Sequence, residues 1–253
     1  MAAPLLAQVL VTGLTSAMLL SGTLIAPPPP AISQIQSQYR PEGIDVSSHQ
    51  HPDNIRINYA KVAASGTRFV LVKATEGLTY FNKHYIEDRA RATSVGLITG
   101  SYHYAKPSWQ LGSAAEQAKY FAALTLSSRL PGDLPPVLDL EESGGLPPIA
   151  LQLWVNEFVT VMEKLAGRKP IIYTYPSFWQ DDMGNTHRFS DYPLWIADYN
   201  GKSNPTKPLP GGWRDWTFWQ YSCYGRIRGI PVNVDKNVFN GTIAQLHGMR
   251  YRN

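Results

Sequence analysis

Short apolar, β-branched or aromatic runs alternate along this chain with longer stretches whose apolar positions recur at helical spacing. Gly43–Val46, Phe69–Lys73, Ile98–Tyr104, Pro136–Leu140, Ile171–Tyr175, Leu194–Ala197 and Thr217–Tyr221 read as strands. Between them, Tyr85–Val95, Ser113–Leu126 and Ile149–Leu165 read as helices. Ser113 with Glu116 has the spacing of a capping box, and Gly167 followed by Pro170 ends the third helix. Strand–helix alternation implies parallel strands covered by helices. Several strands are apolar throughout, as in a sheet buried on both faces. The pattern predicts an α/β fold, a single irregular TIM-like (β/α) barrel. Its helix content falls in the C-terminal part, because helical patterns thin out after Phe178.

Residues 1–39 follow a different rule, with no Asp, Glu, Lys or Arg. Leu5 to Ala26 is largely apolar, and Pro27–Pro30 form a stiff polyproline stretch. This resembles a secretory signal and a linker, without the basic start or the Ala-x-Ala site that usually accompany one. The run is also long enough to cross a bilayer, although Thr12, Thr15, Ser16, Ser21 and Thr23 dilute it. The expected organisation is a signal-like segment with a Pro-rich linker at 1–39 and one globular domain at 40–253. Secretion or a cell-envelope location follows, with membrane contact only if the N-terminal segment is retained as an anchor.

Composition narrows the class. With 253 residues, 43% hydrophobic and 17% charged, the chain can bury a substantial core, which excludes disorder of the whole. The net charge of +4 favours anionic partners, but the basic residues form no Lys/Arg run, so nucleic acid is not expected. One cysteine, Cys223, excludes an internal disulfide and reads as a small buried hydrophobe. Fourteen Tyr and seven Trp suit a core and also suit stacking on sugar rings.

In barrels of this kind the active groups sit at the C-terminal ends of the strands. Asp45, Asp139, Glu141, Asp198 and Asp235 all close or follow apolar runs. Each alone is commonly a cap or a turn former. Asp139 and Glu141 are the sharpest pair: at i and i+2 on a strand they share a face, roughly 6.5 Å apart. Carboxylates that close tend to hold one proton between them. That supplies a general acid beside an ionised partner, as glycosidic cleavage requires, although a calcium site or a solvated loop has the same spacing. His49 and His51 lack partners for a metal, and neither metal nor cofactor is expected.

The motifs around this pair resemble glycoside hydrolase family 25, the Chalaropsis-type and phage-type lysozymes. Gly43-Ile44-Asp45-Val46-Ser47-Ser48-His49-Gln50 is similar to the family's opening strand, Lys73-Ala74-Thr75-Glu76-Gly77 to its second and Gly100-Ser101-Tyr102-His103-Tyr104 to its third. Asp139-Leu140-Glu141 matches its Asp-x-Glu signature. Ile172-Tyr173-Thr174, Leu194-Trp195-Ile196-Ala197, Trp219-Gln220-Tyr221 and Val234-Asp235-Lys236-Asn237 follow in the family's order, so the likeness covers roughly residues 41–242. One departure is Asn82, where the family often has Asp.

The resemblance implies hydrolysis of the β-1,4 bond between N-acetylmuramic acid and N-acetylglucosamine in peptidoglycan, with retention. Glu141 would be the acid. Asp139 would orient the 2-acetamido group or stabilise the oxocarbenium-like transition state, and Asp45 and Asp235 would shape the charge field and position water or sugar. An aspartate or the substrate's acetamido group would attack. Tyr104, Tyr173, Trp195, Asp198, Tyr199, Trp219 and Tyr221 are the expected substrate-binding residues. His103 reads as a buried, hydrogen-bonded histidine, and Glu76 as either an outer carboxylate or an exposed turn residue. The expected partner is peptidoglycan, and the expected state a monomer. A chitinase-like enzyme would need a longer acidic run before Asp139, where Val137 and Leu134 stand. A non-catalytic wall-binding module would not need all four acids.

Overall fold

The computed structural model describes residues 40–126 and 133–251; the signal-like segment and linker expected at 1–39 lie outside them. The predicted runs become β1 (Glu42–Val46), β2 (Phe69–Glu76), β4 (Ile98–Tyr104), β5 (Val137–Asp139), β6 (Ile171–Thr174), β7 (Leu194–Ala197) and β8 (Phe218–Gly225). Two further strands are β3 (Tyr80–Phe81) and β9 (Val234–Phe239). In the order β1-β2-β4-β5-β6-β7-β8 each strand runs parallel to the next. The ring is closed by β9, which pairs antiparallel with both β8 and β1, while β3 folds back onto β2 as a flap. The seven expected strands all run parallel, and the antiparallel closing strand β9 is an addition to them. A parallel return needs a crossover of a dozen residues or more, and only residues 226–233 separate β8 from β9.

The helices are α1 (Tyr59–Ala64), α2 (Tyr85–Ser94), α3 (Ser113–Thr125), α4 (Pro148–Ala166), α5 (Pro176–Asp181) and α6 (Ile243–Gly248). The three long ones match the periodic stretches; the short ones have too few turns for periodicity to reveal them. Gly167 stops α4 as expected, in the left-handed conformation at φ 69°. The capping box at Ser113 does not form: the cap residue is Gly112, and no side chain caps it. The Ser113 hydroxyl instead accepts from the Trp154 indole at 2.9 Å, tying α3 to α4.

Two apolar layers follow from strand alternation. Outward residues such as Val70, Val72, Leu138, Ile172 and Ile196 pack with Phe121, Val155 and Phe158 of the covering helices. Inward residues Phe69, Leu71, Ile98, Val137, Ile171, Phe218 and Phe239 fill the barrel, joined by Leu246 of α6. Gly43 is required there, since a Cβ would stand 2.4 Å from the Phe69 ring. Higher in the same interior come Tyr102, Tyr173 and Trp195, and above them the side chains become acidic.

Candidate active site

The acidic end of the barrel opens as a cleft of about 280 Å³. Asp45, Lys73, Asp139, Glu141, Tyr199 and Asp235 line it, together with Ser47, His49, Tyr102, Tyr104, Tyr173, Trp195 and Gln220. Inward parity brings these groups from eight different strands, or the turns just past them, to one place. Asp45 and Asp235 are direct cross-strand partners in the β1–β9 ladder, which puts their Cβ atoms about 5 Å apart. Asp139 is the last residue of β5 and Glu141 lies just past it, on the opposite wall from that pair.

Two coupled acid pairs result. Burial raises the Asp139 carboxyl well above its ordinary range, and the charge and hydrogen bond of Glu141 add to the rise. Glu141 is also raised by burial, with the hydrogen bond from Asp139 and the Lys73 ammonium opposing it. Across the cleft, burial and the Asp235 charge raise Asp45 well above its ordinary range. Burial takes Asp235 to about 6 despite a hydrogen bond from Asp45. Each pair thus holds a proton under conditions where isolated carboxyls would be ionised. Asp139 Oδ1 is buried without a donor among the described residues.

An amide network fixes Asp45. Its Oδ2 accepts from Gln220 Nε2 at 2.9 Å and Asn237 Nδ2 at 2.7 Å. Gln220 Oε1 in turn accepts from the hydroxyls of Tyr173, at 2.9 Å, and Tyr199. Asn237 Oδ1 accepts from Trp195 Nε1 at 2.8 Å. These bonds determine which way both amides point. Gln220, Asn237 and Lys73 are the functional residues that the sequence reading did not single out. Their signal was parity: Gln220 shares the inward face of Phe218, and Asn237 that of Asp235.

A second network builds the neighbouring wall. Lys73 Nζ meets Glu76 at 2.6 Å, and Lys106 Nζ bridges Glu76 at 3.4 Å and Glu142 at 3.0 Å. Burial alone would raise Glu76, but the two ammoniums outweigh it and its pKa is lowered. Glu76 is therefore an ion-paired outer carboxylate. Both lysines lie over the Tyr104 ring, at 4.6 and 4.7 Å. Asn82 is buried; it donates to the Lys73 carbonyl at 2.8 Å and accepts from His84 N at 3.1 Å. The first of those bonds needs the amide N–H that an aspartate lacks. His103 is buried and lowered to about 4 by desolvation, with Thr75 Oγ1 at 2.8 Å and Gln117 Oε1 at 3.0 Å. It is a neutral structural histidine, as its mid-strand place suggests.

The expected aromatic and rim residues divide. Tyr199 is 52% exposed at the cleft and offers an open ring face. Tyr104 lines the wall under its two lysines. Tyr173 and Trp195 reach the cleft floor but are 6% and 2% exposed, packed edge to face at 4.5 Å. Trp219 and Tyr221 do not enter the cleft, because parity turns them outward from Gln220. Trp219 donates to the Asp198 carbonyl at 2.8 Å, and Tyr221 to Glu42 at 3.1 Å on the barrel's outer side. Asp198 also stands apart: its Oδ2 accepts from Asn200 Nδ2 and Thr206 N, at 2.8 and 2.7 Å, and so builds its own loop.

Comparison with known proteins converges on one family. The model of Glycosyl hydrolases family 25 matches residues 44–230. The chain is 38% identical over 213 residues to Lysozyme M1 of Streptomyces globisporus, covering 81% of this chain and 69% of that one. It is 34% identical over 218 residues to the N,O-diacetylmuramidase of Chalaropsis sp, covering 81% and 96%. The crystal structure of the bacterial lysozyme from Streptomyces coelicolor superposes with a TM-score of 0.75 at 34% identity, covering 83% of this chain and 97% of that one.

Proposed function

The chain belongs to glycosyl hydrolases family 25, and we propose that it cuts the β-1,4 bond between N-acetylmuramic acid and N-acetylglucosamine with Glu141 as general acid. Peptidoglycan hydrolysis is the activity of the group of lysozymes and muramidases with which it aligns. The observation that carries the assignment of roles is the placement of Asp139 and Glu141 together at the end of β5, both raised by burial, facing the Asp45–Asp235 pair across one cleft.

Glu141 is the less buried member and donates to the leaving glycosidic oxygen. Loss of that proton leaves a carboxylate positioned to take a proton from water in the second half of the reaction. Asp139 offers its unpartnered Oδ1 to the N–H of the 2-acetamido group, which favours attack by the acetamido oxygen and retention at the anomeric carbon. Asp45, held by Gln220 and Asn237, and Asp235 beside it stabilise positive charge developing on the sugar and position the water. Lys73 limits how far the Asp139–Glu141 pair rises. Tyr199 supplies a stacking face for a pyranose ring. With the signal-like run at 1–39, this activity belongs outside the cytoplasm, at the cell envelope or beyond it.

Replacing Glu141 with Gln tests the assignment. Clearing of purified peptidoglycan is expected to fall by about 10²–10⁴-fold, with an unchanged circular dichroism spectrum and retained binding to wall fragments. Clearing at the native rate would remove Glu141 from the acid role.

A further inference from the structure

The end of the barrel opposite the cleft carries a set of exposed basic side chains. Arg40, Arg68 and Lys169 lie just ahead of β1, β2 and β6. Arg188 and Arg214 lie in the segments that lead into β7 and β8. All five side chains are exposed, and among the described residues none forms an ion pair. Of the carboxylates described on this side, Glu42, Asp133 and Asp215 are matched by Lys236, Arg89 and Lys207, while Asp191 and Glu163 form no ion pair among the described residues. A groove of about 460 Å³ runs through the surface, with Arg40, Arg68 and His247 around Ile98 and Ile243. The base of the barrel is therefore a basic surface.

We propose that this base docks on an anionic bilayer surface, lipid phosphates meeting the Arg40–Arg68 groove, so that the catalytic mouth points away from the membrane. Two observations select a bilayer over other polyanions. Arg40, which follows the charge-free stretch directly in sequence, lines the groove on the base. The residues before it, 1–39, are free of Asp, Glu, Lys and Arg and largely apolar from Leu5 to Ala26. Binding to a membrane surface scales with the apolar area buried and with attraction to anionic lipid, and an apolar segment followed by a basic surface offers both. Each basic residue near an anionic leaflet contributes about 1 kcal/mol, a contribution that salt screens. A bilayer at the base leaves the mouth free to reach polymer lying beyond it.

The test uses the full chain with phosphatidylcholine vesicles, with and without phosphatidylglycerol. The phosphatidylglycerol vesicles should bind more tightly, and the difference should shrink with salt. Replacing Arg68 and Arg214 with Gln should weaken that binding about fivefold per charge, while peptidoglycan clearing stays at the native rate. Cys223, the single cysteine, lies near Tyr199 on the mouth side and takes a fluorophore there. An Asp191→Cys variant in a Cys223→Ser background places the same dye on the base. A headgroup quencher should dim the base label and spare the mouth label. Equal binding to neutral vesicles, or quenching of the Cys223 label, would overturn the proposal. So would retention by poly(glycerol phosphate) without any preference for the anionic vesicles, which would assign the base to a wall polymer.

Discussion

At the scale of single residues, the cleft trades stability for protonation. The Asp235 carboxyl titrates at about 6 in the folded protein, against about 3.9 for an unperturbed aspartate. Between those values the folded state binds the extra proton, so stability is greatest below the ordinary pKa and is lost as pH rises through about 6. Asp235→Asn removes the cost while keeping a hydrogen-bonding group beside Asp45. Its melting temperature should exceed the native one by a few degrees at pH 7 and match it at pH 4; an equal or lower value at pH 7 would contradict this balance. The activity profile follows the Asp139–Glu141 pair: burial raises both carboxyls, so the decline in cleavage should begin at a higher pH than the ordinary pKa of an isolated carboxyl would set. Gln220 belongs to this scale as a positioning residue. Gln220→Leu leaves two tyrosine hydroxyls and Asp45 short of a partner, and kcat should drop about 10–100-fold. Gln220→Glu sets another carboxyl against Asp45 and should move the alkaline limb of the profile upward. A limb that stays in place in the glutamate variant would make Gln220 merely structural.

At the scale of elements, legibility followed physical length and pairing. The strands of the parallel run and the three long helices carry either continuous apolar character or several turns of periodicity, and both survive into the structure. The end of β5 was legible because two carboxylates after an apolar run are unusual in a strand. What stayed hidden depends on contacts distant in sequence. The direction of β9 is decided by the short connection from β8. The duty of Ser113 is decided by Trp154, so a sound local capping signal gave way to a tertiary hydrogen bond. Trp219 and Tyr221 were expected in the cleft because aromatic character alone does not report which face of β8 they occupy; counting parity from Phe218 would have placed Gln220 there instead. Gly43 is the element-scale residue with the sharpest consequence. Gly43→Ala drives a methyl group into the Phe69 ring at the joint of β1 and β2. It should cost about 1–3 kcal/mol, read as a lowered urea midpoint with an unchanged slope. A native midpoint would mean that the barrel floor yields more readily than its packing implies.

At the scale of the whole molecule, one closed sheet sorts its interior by height, from aromatic and aliphatic residues near the base to acids at the mouth. The apolar plug fills the space beneath the cleft, and burial against it is what raises the carboxyls above. Fold and chemistry are thus two ends of one column of side chains: the burial that stabilises the barrel also favours a proton on the Asp139–Glu141 pair. The central claim is that this column serves muramidase chemistry with Glu141 as the acid. The most direct measurement is mass spectrometry of the fragments released from purified peptidoglycan, after borohydride reduction, by the native chain and by Glu141→Gln. The account predicts fragments whose reduced end is muramic acid from the native protein and none above background from the variant. Reduced ends on glucosamine, or the same fragments from the variant, would contradict it.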